Sequence, residues 1–178
     1  MRRIVLSLVA LAFSSAAYAE TIRVGVTSGP HAEIIDVVKK VAAERGLDIK
    51  PVEFSDYVFP NEALARKELD ANSFQHEPYL LNQTAKSNWK IVKVASTILS
   101  PQGVYSSKYK TLADLPQGAT VAIANDPSNG ARGLLILASQ GLIKLKDGAS
   151  VTASVADIID NPKKLKFVEL DAAQLPRS

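Results

Sequence analysis

Two polar tracts of this chain carry side chains that could bind a small charged molecule. The first, residues 55–81, gathers aromatic rings and an imidazole around a short helical pattern: Tyr57, Phe59, Phe74 and His76. Rings on both sides of a helix cannot all lie in one helical stripe, so some must lie on the loops at its ends, where binding residues collect. Because a single aromatic residue is more often part of the core, only the group as a whole predicts a binding surface.

The second tract, residues 125–132, follows a β-branched run and precedes an apolar helical pattern. Free backbone N–H groups at the start of that helix attract anions. Arg132, which we predict in the first turn, adds a planar two-pronged donor that suits a carboxylate. Asp126 or Ser128 is predicted to cap the helix. A solvent-exposed surface arginine is the alternative.

Histidines and asparagines supply the remaining candidates. His76 follows Phe74 with one residue between, and alternation along an extended segment predicts both side chains on one face. An aromatic ring beside an imidazole can hold a thioether or the polar end of an amino acid; a hydrogen-bonded core histidine is the alternative. His31, at a predicted strand-to-helix turn, is a weaker candidate. Three asparagines are weaker still, because such residues are typical of caps and turns: Asn125, Asn129 and Asn161.

The composition excludes several kinds of chemistry. The chain has no cysteine, which excludes disulfides, thiolate metal sites and cysteine nucleophiles. Its two histidines are far apart in sequence and form no recognisable metal-ligand pattern. The sequence also lacks a nucleophile elbow, a P-loop and a dinucleotide-binding glycine pattern. We therefore predict no metal, no cofactor and no enzymatic activity.

The first nineteen residues are typical of a secretion signal. Arg2 and Arg3 precede an apolar run at 4–13, and Ala17-Tyr18-Ala19 forms a small-x-small cleavage pattern. A retained membrane anchor is the alternative, although the run is short for a bilayer span. Removing both arginines leaves 19 basic against 18 acidic groups, so the net charge of +3 is no argument for nucleic-acid binding. We predict a soluble exported protein, in the periplasm or outside the cell, whose mature chain begins at Glu20.

Apolar periodicity in the first half predicts strands at 21–26, 48–54, 71–74 and 89–94 and helices at 34–45, 60–69 and 78–86. The first helix would bury Ile34, Val37, Val38 and Val41 and end at Gly46. Strand, helix and strand with short connections predict a βαβ unit with parallel pairing. The extended run that reaches Tyr105 is predicted to cross between two lobes.

In the second half the same patterns predict strands at 120–124 and 166–170, a helix that ends at Gly141, and short helices at 111–115, 155–159 and from 172. Residues 146–148 are predicted to form a turn. The fold class is therefore α/β.

Two stretches carry a resemblance to a known family. SDYVFPNEALARKELDANSFQHEPYLL (55–81) and NDPSNGARGLLIL (125–137) resemble the methionine-binding lipoproteins (NlpA/MetQ type), which are substrate-binding subunits of bacterial methionine importers. One departure is Phe59, where the family commonly has glutamine. The resemblance implies a periplasmic-binding-protein-like fold of type II, with a ligand cleft between two lobes.

The resemblance also implies an organisation for the whole chain. Residues 20–100 would form the first lobe and 101–178 an incomplete second lobe, without the return crossing; about 70–90 further residues would complete it. Family members usually carry a lipidated cysteine at the end of the signal. This chain has Ala17-Tyr18-Ala19-Glu20 there instead, which predicts a freely diffusing periplasmic form.

The implied function is capture of methionine for an ABC importer. Arg132 would grip the carboxylate, while Tyr57, Phe74 and His76 would wall the pocket from the first lobe. Hinge closure would present the loaded protein to a membrane permease with its ATPase. Two alternatives stay open: a fragment that binds nothing tightly, or a binder of another small amino acid or peptide. An adhesin is a third possibility that no residue here requires.

Overall fold

The computed structural model describes residues 20–178, so the predicted secretion signal lies outside the described residues. The first sheet contains β1 (Thr21–Thr27), β2 (Asp48–Phe54) and β3 (Ala71–Ser73), all parallel, in the order β2-β1-β3. Helix α1 (Pro30–Ala43) connects β1 to β2. The predicted βαβ unit is therefore confirmed.

Helix α1 buries a different face from the predicted one. Ile35 and Ala42 pack with β1 and β2 in the core of the first half. The predicted apolar stripe is exposed, with Val37 at 59% and Val41 at 45%. Two apolar stripes overlap on this helix, and the sheet covers only one of them. The other borders an open hollow with Arg45 and Leu47.

Helix α2 (Phe59–Ala65) is shorter than predicted, because the chain turns at Arg66 and Lys67 instead of continuing to Leu69. Lys67 adopts the left-handed conformation (φ 62°), which ends the helix. Arg23 on β1 then fixes the turn: its backbone N–H and guanidinium donate to the Asp70 carboxylate at 2.8–3.1 Å. Helix α3 (Glu77–Ser87) agrees with the prediction within one residue at each end.

The predicted strand at 89–94 is wrong. Residues 88–111 form neither helix nor strand, and large apolar side chains along this linking segment are open to solvent, including Val94 (93% exposed) and Leu99 (95%). A strand requires a hydrogen-bonding neighbour, and none of the strands in residues 20–178 lies beside this segment. Strand propensity alone cannot supply that neighbour.

The second half contains the two predicted strands, β4 (Thr120–Ala124) and β7 (Lys166–Leu170). Their parallel pairing was not predicted. Helix α4 (Pro127–Ser139) follows β4, and Gly141 turns the chain in the left-handed conformation (φ 70°). A small antiparallel pair was not predicted: β5 (Lys144–Leu145) and β6 (Ile158–Asp160). The predicted short helices are 3₁₀ turns at Leu112–Asp114, Val155–Asp157 and Ala172–Arg177.

Each half has its own hydrophobic core. The first gathers side chains from β1, α1 and β2 around Val26, which is completely buried. The second gathers side chains from β4, α4 and the following turn around Leu134 and Leu137. No helix within residues 20–178 has the length and apolar character needed to cross a bilayer. The lobe boundary at residue 100 and the incomplete second lobe stay predictions.

Candidate functional site

The candidate site lies in the loops that follow the carboxyl ends of the strands in both parallel sheets. Thr27 at the end of β1 lies beside Phe54 of β2, and Val26 lies beside Ser73 of β3. The chain continues from these ends into His31, Tyr57 and Phe74. In the second sheet, the ends of β4 and β7 are joined by a hydrogen bond of 2.8 Å from Asn125 N–H to the Leu170 carbonyl. Ligands bind at this edge of parallel sheets.

Four rings from the first half form one cluster. Ring centroids lie 6.3 Å apart for Tyr57 and Phe74, 6.2 Å for Phe74 and Tyr79, and 6.3 Å for His76 and Tyr79. The Tyr79 hydroxyl donates to the Tyr57 carbonyl at 2.8 Å, which holds the loop that carries Tyr57. Tyr79 was not predicted as a site residue, because an aromatic in a helical pattern is usually part of the core.

A network of three side-chain amides, one of them buried, lies beside this cluster in the chain. Asn61, completely buried in the first turn of α2, donates to Gln75 at 2.8 Å and accepts from Gln75 at 2.7 Å. Asn72 donates to the Pro60 carbonyl at 2.9 Å and to Asn61 at 3.2 Å. Since Gln75 lies between Phe74 and His76 in the chain, the network orients both. The polar residues of the 55–81 tract thus help to fix the backbone that carries the ring cluster.

His76 lies at the boundary between the two halves. It caps α3 in an extended conformation, and its Nε2 atom is buried without a hydrogen-bond partner in the described part of the chain. Burial lowers the pKa of His76, the Arg132 charge lowers it further, and Asp126 raises it. His76 is therefore within electrostatic range of both charged groups from the second half.

The start of α4 supplies those charges. Asp126 caps the helix by accepting from the Asn129 backbone N–H at 2.9 Å. Gly130 permits a close approach, because a Cβ there would lie 2.6 Å from the Ala124 carbonyl oxygen at the end of β4. Arg132 is half-buried and lies in the second turn, not in the predicted first turn, because the helix begins at Pro127. Its guanidinium donates to the Asn129 side-chain oxygen at 3.3 Å.

The pKa values of two tyrosines in the first half also depend on charges of the second half. Burial raises the pKa of Tyr57, and the Asp171 and Asp126 charges raise it further. Burial, with Asp126 first among the neighbouring charges, also raises the pKa of Tyr79. Asp171, which was not predicted, follows β7 and caps the last 3₁₀ turn through the Ala173 N–H at 2.9 Å. Charges of the second half thus act on the rings of the first.

The weaker candidates differ in their placement. Asn129 lies between Asp126 and Arg132. Asn161 uses both ends of its amide to hold Leu165, at 2.8 and 2.9 Å, so it has a turn role. Asn125 is exposed at the end of β4. His31 is half-buried at the start of α1, where burial lowers its pKa.

The linking segment also reaches the site. Gln102 donates to the Asn129 carbonyl at 3.4 Å, and its side-chain oxygen is buried without a partner among residues 20–178. An open hollow of about 330 Å³ separates the starts of α3 and α4, with Pro78 on one side and Pro127 on the other; its lining includes neither Arg132 nor the ring cluster. The arrangement offers a guanidinium for an anion and aromatic rings for an apolar group.

Comparison with known proteins gives a consistent result. Residues 22–178 match the family described as NlpA lipoprotein. The D-methionine-binding lipoprotein MetQ of Salmonella typhi is 51% identical over 158 residues, which are 88% of this chain and 58% of that relative. The outer membrane lipoprotein 3 of Mannheimia haemolytica is 46% identical over 161 residues, covering 90% and 61%. The chain thus spans about three fifths of the length of these relatives.

Solved structures agree with the α/β architecture. The methionine-binding protein MetQ superposes with a TM-score of 0.86 at 49% identity, over 88% of this chain and 64% of that one. A nutrient-binding protein from Burkholderia cenocepacia bound to methionine superposes with a TM-score of 0.85 at 57% identity, over 88% and 66%. The predicted fold class is confirmed by these superpositions.

Proposed function

Since this chain belongs to the NlpA lipoprotein family, we propose that it is a solute-binding component of an ABC amino-acid importer and binds methionine. Two of the similar proteins are named or described for methionine: one as a D-methionine-binding lipoprotein, one as bound to methionine. Their names describe binding and no reaction, which supports a binding role over an enzymatic one. We propose both L- and D-methionine as ligands.

One observation supports the proposal most directly: helix α3, which begins after His76, packs against α4, which carries Arg132, and the Arg132 charge acts on His76. A planar guanidinium can donate two parallel hydrogen bonds to a carboxylate. The rings of Tyr57 and Phe74 provide an apolar surface where sulfur can pack against aromatic edges. A zwitterion with an apolar thioether tail has the complementary groups at both ends.

The proposed mechanism is closure of the two halves around the ligand. Arg132 pairs with the carboxylate, and Tyr57, Phe74 and His76 enclose the side chain. Burial of the ligand between the halves favours the closed arrangement by the difference in its affinity for the two states. The closed surface is then recognised by a membrane permease, whose ATPase drives import. Asn129 contributes to the carboxylate end.

Export is supported by the relatives, several of which are named lipoproteins. We propose a periplasmic location for the chain. The sequence has no cysteine at the end of its signal pattern. Free diffusion in the periplasm, which follows from this, stays a prediction.

Isothermal titration calorimetry with L- and D-methionine tests the proposal. We expect saturable binding that weakens at least tenfold in Arg132→Lys, which keeps the charge but loses the two-pronged geometry. Arg45→Lys, on the far end of α1, is the matched control and should bind as the unsubstituted chain does. A thermal melt with ligand separates the alternatives: a sharp transition that methionine raises supports a receptor. A broad transition unmoved by millimolar methionine favours the non-binding fragment.

A further inference from the structure

We propose that Asp126 is a positioning residue for the ligand carboxylate, acting through the Asn129 side chain on the Arg132 guanidinium. This inference rests on the proposed function, since it assigns Arg132 to the carboxylate. The residues form a continuous relay over the first two turns of α4. Asp126 itself contacts Asn129, and Asn129 contacts Arg132.

The Asp126 carboxylate is committed to the helix start by three hydrogen bonds. Its Oδ1 accepts from the Ser128 hydroxyl at 2.8 Å and from the Asn129 backbone N–H at 2.9 Å. Its Oδ2 accepts from the Asn129 side-chain Nδ2 at 3.0 Å. The backbone bond is an ordinary helix cap. The bond from Nδ2 has a second consequence, because it determines which way the Asn129 amide faces.

The direction of the Asn129 amide follows from chemistry. An ionised carboxylate accepts hydrogen bonds and has none to donate, so the Asn129 group that faces Asp126 Oδ2 must be the NH₂. The carbonyl oxygen Oδ1 is then on the opposite side, where it accepts from Arg132 at 3.3 Å. If the amide were rotated, two donors would oppose each other at Arg132. Asp126 thereby excludes that arrangement.

The two charged residues of the relay act on a residue of the ring cluster. Arg132 and Asp126 both shift the pKa of His76, in opposite directions, so both charges act on the same buried imidazole. His76 Nε2 has no hydrogen-bond partner among residues 20–178. A guanidinium held in one orientation by Asn129 loses little further freedom when a carboxylate binds.

Asp126→Asn separates the two roles of the residue. Asparagine caps helices about as well as aspartate, so the bond from the Asn129 backbone is kept. Its amide can present either a donor or an acceptor to Asn129, so the Asn129 side chain can rotate and turn its NH₂ toward Arg132. We expect the variant to fold normally and to bind methionine about ten- to a hundredfold more weakly, as for loss of a charge-assisted contact.

A panel of three ligands distinguishes positioning of Arg132 from direct contact with the ligand. The ligands are methionine, methioninamide, which lacks the carboxylate, and 4-(methylthio)butanoate, which lacks the ammonium. If Asp126 positions Arg132, Asp126→Asn weakens methionine and 4-(methylthio)butanoate by the same factor and leaves methioninamide unchanged. If Asp126 instead pairs with the ammonium, methionine and methioninamide weaken together, and the proposal is overturned.

Controls keep the test decisive. Ser128→Ala removes another hydrogen bond to the same carboxylate without touching Asn129, and it should change methionine affinity less than twofold. Asn129→Ala breaks the relay while Asp126 still caps the backbone, so it should reproduce the Asp126→Asn pattern, and the double variant should be no weaker than either single one. Additive losses would overturn the relay. If the unsubstituted chain binds no methionine, the proposed function is contradicted. If it binds methionine and Asp126→Asn leaves the affinity unchanged, only this inference is contradicted.

Discussion

The side-chain amides of Asn61 and Gln75 exchange two hydrogen bonds, of 2.8 and 2.7 Å, across the gap between α2 and the loop before α3. Asn61 has no solvent exposure. Each amide therefore satisfies a donor and an acceptor of the other, which is the condition under which buried polar groups are tolerated. The pair joins the helix on one side of the ring cluster to the loop that carries Phe74 and His76.

Asn61→Ala should lower the free energy of unfolding by roughly 2–4 kcal/mol, because the half-buried Gln75 amide loses both of its bonds to Asn61 and Asn72 loses an acceptor. Urea unfolding followed by circular dichroism measures this loss. Gln140→Ala, at an exposed position after α4, is the control and should change stability by less than about 0.5 kcal/mol. Equal effects of the two substitutions would show that the amide pair has no structural importance.

Arg132→Gln should raise the pKa of His76, because the Arg132 charge lowers that pKa in the unsubstituted chain. Asp126→Asn should lower it, because the Asp126 charge raises it. NMR titration of the imidazole protons follows both shifts. The chain has two histidines, and His31, whose pKa is lowered by burial, serves as the internal control. If His76 does not respond to either substitution, the two halves do not face each other as described.

The ion pair between Arg23 and Asp70 should make stability depend on pH in the acid range. Hydrogen bonds from Arg23 lower the pKa of Asp70 to about 2, below the ordinary value of about 4. A depressed folded-state pKa contributes stability that is present above the ordinary value and is lost as pH falls through the folded value. Asp70→Asn should therefore be less stable than the unsubstituted chain at pH 7.

Thermal melts from pH 7 to pH 2 test this sign. The difference between the two proteins should shrink from about pH 4 downward and disappear near pH 2. Asp147→Asn, in the exposed turn after β5, should keep a constant small difference over the same range. A stability difference between the two proteins that stays constant or increases on acidification would contradict the lowered pKa of Asp70.

The linking segment should make the chain self-associate. Val94 and Leu99 are almost fully exposed on a segment without regular structure, and exposed apolar side chains favour association with other chains. Val94→Lys with Leu99→Lys should reduce association in sedimentation velocity experiments at rising concentration, with little effect on melting temperature. Ser96→Lys with Ser100→Lys adds the same charge to the same segment and keeps the apolar groups. If both pairs act equally, charge and not apolar exposure is responsible.

Local patterns predicted much of this fold. They failed where the structure of a segment depends on which neighbouring element pairs or packs with it. β2, β4 and β7 begin and end where the sequence placed them, since strong alternating or β-branched runs are bounded by turn residues there. The run at 89–94 has the same composition and forms no strand. Periodicity on α1 showed that an apolar stripe exists but could not determine which of two stripes the sheet covers. β5 and β6 were too short to be detected.

The site was predicted less completely. Arg132 and the rings could be selected because their side chains have few other uses on loops and helix starts. Tyr79 was missed because its ring is 3% exposed and belongs equally to the core. Asp126 was identified only as a possible cap, since the sequence does not show that its second oxygen orients Asn129. Proximity between the halves depends on tertiary structure that no single stretch encodes.

The two hydrophobic cores share no residue, and this independence has an evolutionary consequence. The aromatic wall belongs to the first half, while the guanidinium end belongs to the second. Under the proposed function, selectivity for different amino-acid side chains can therefore change on one wall while recognition of the common α-carboxylate is kept on the other. Substitutions within one core need not disturb the packing of the other.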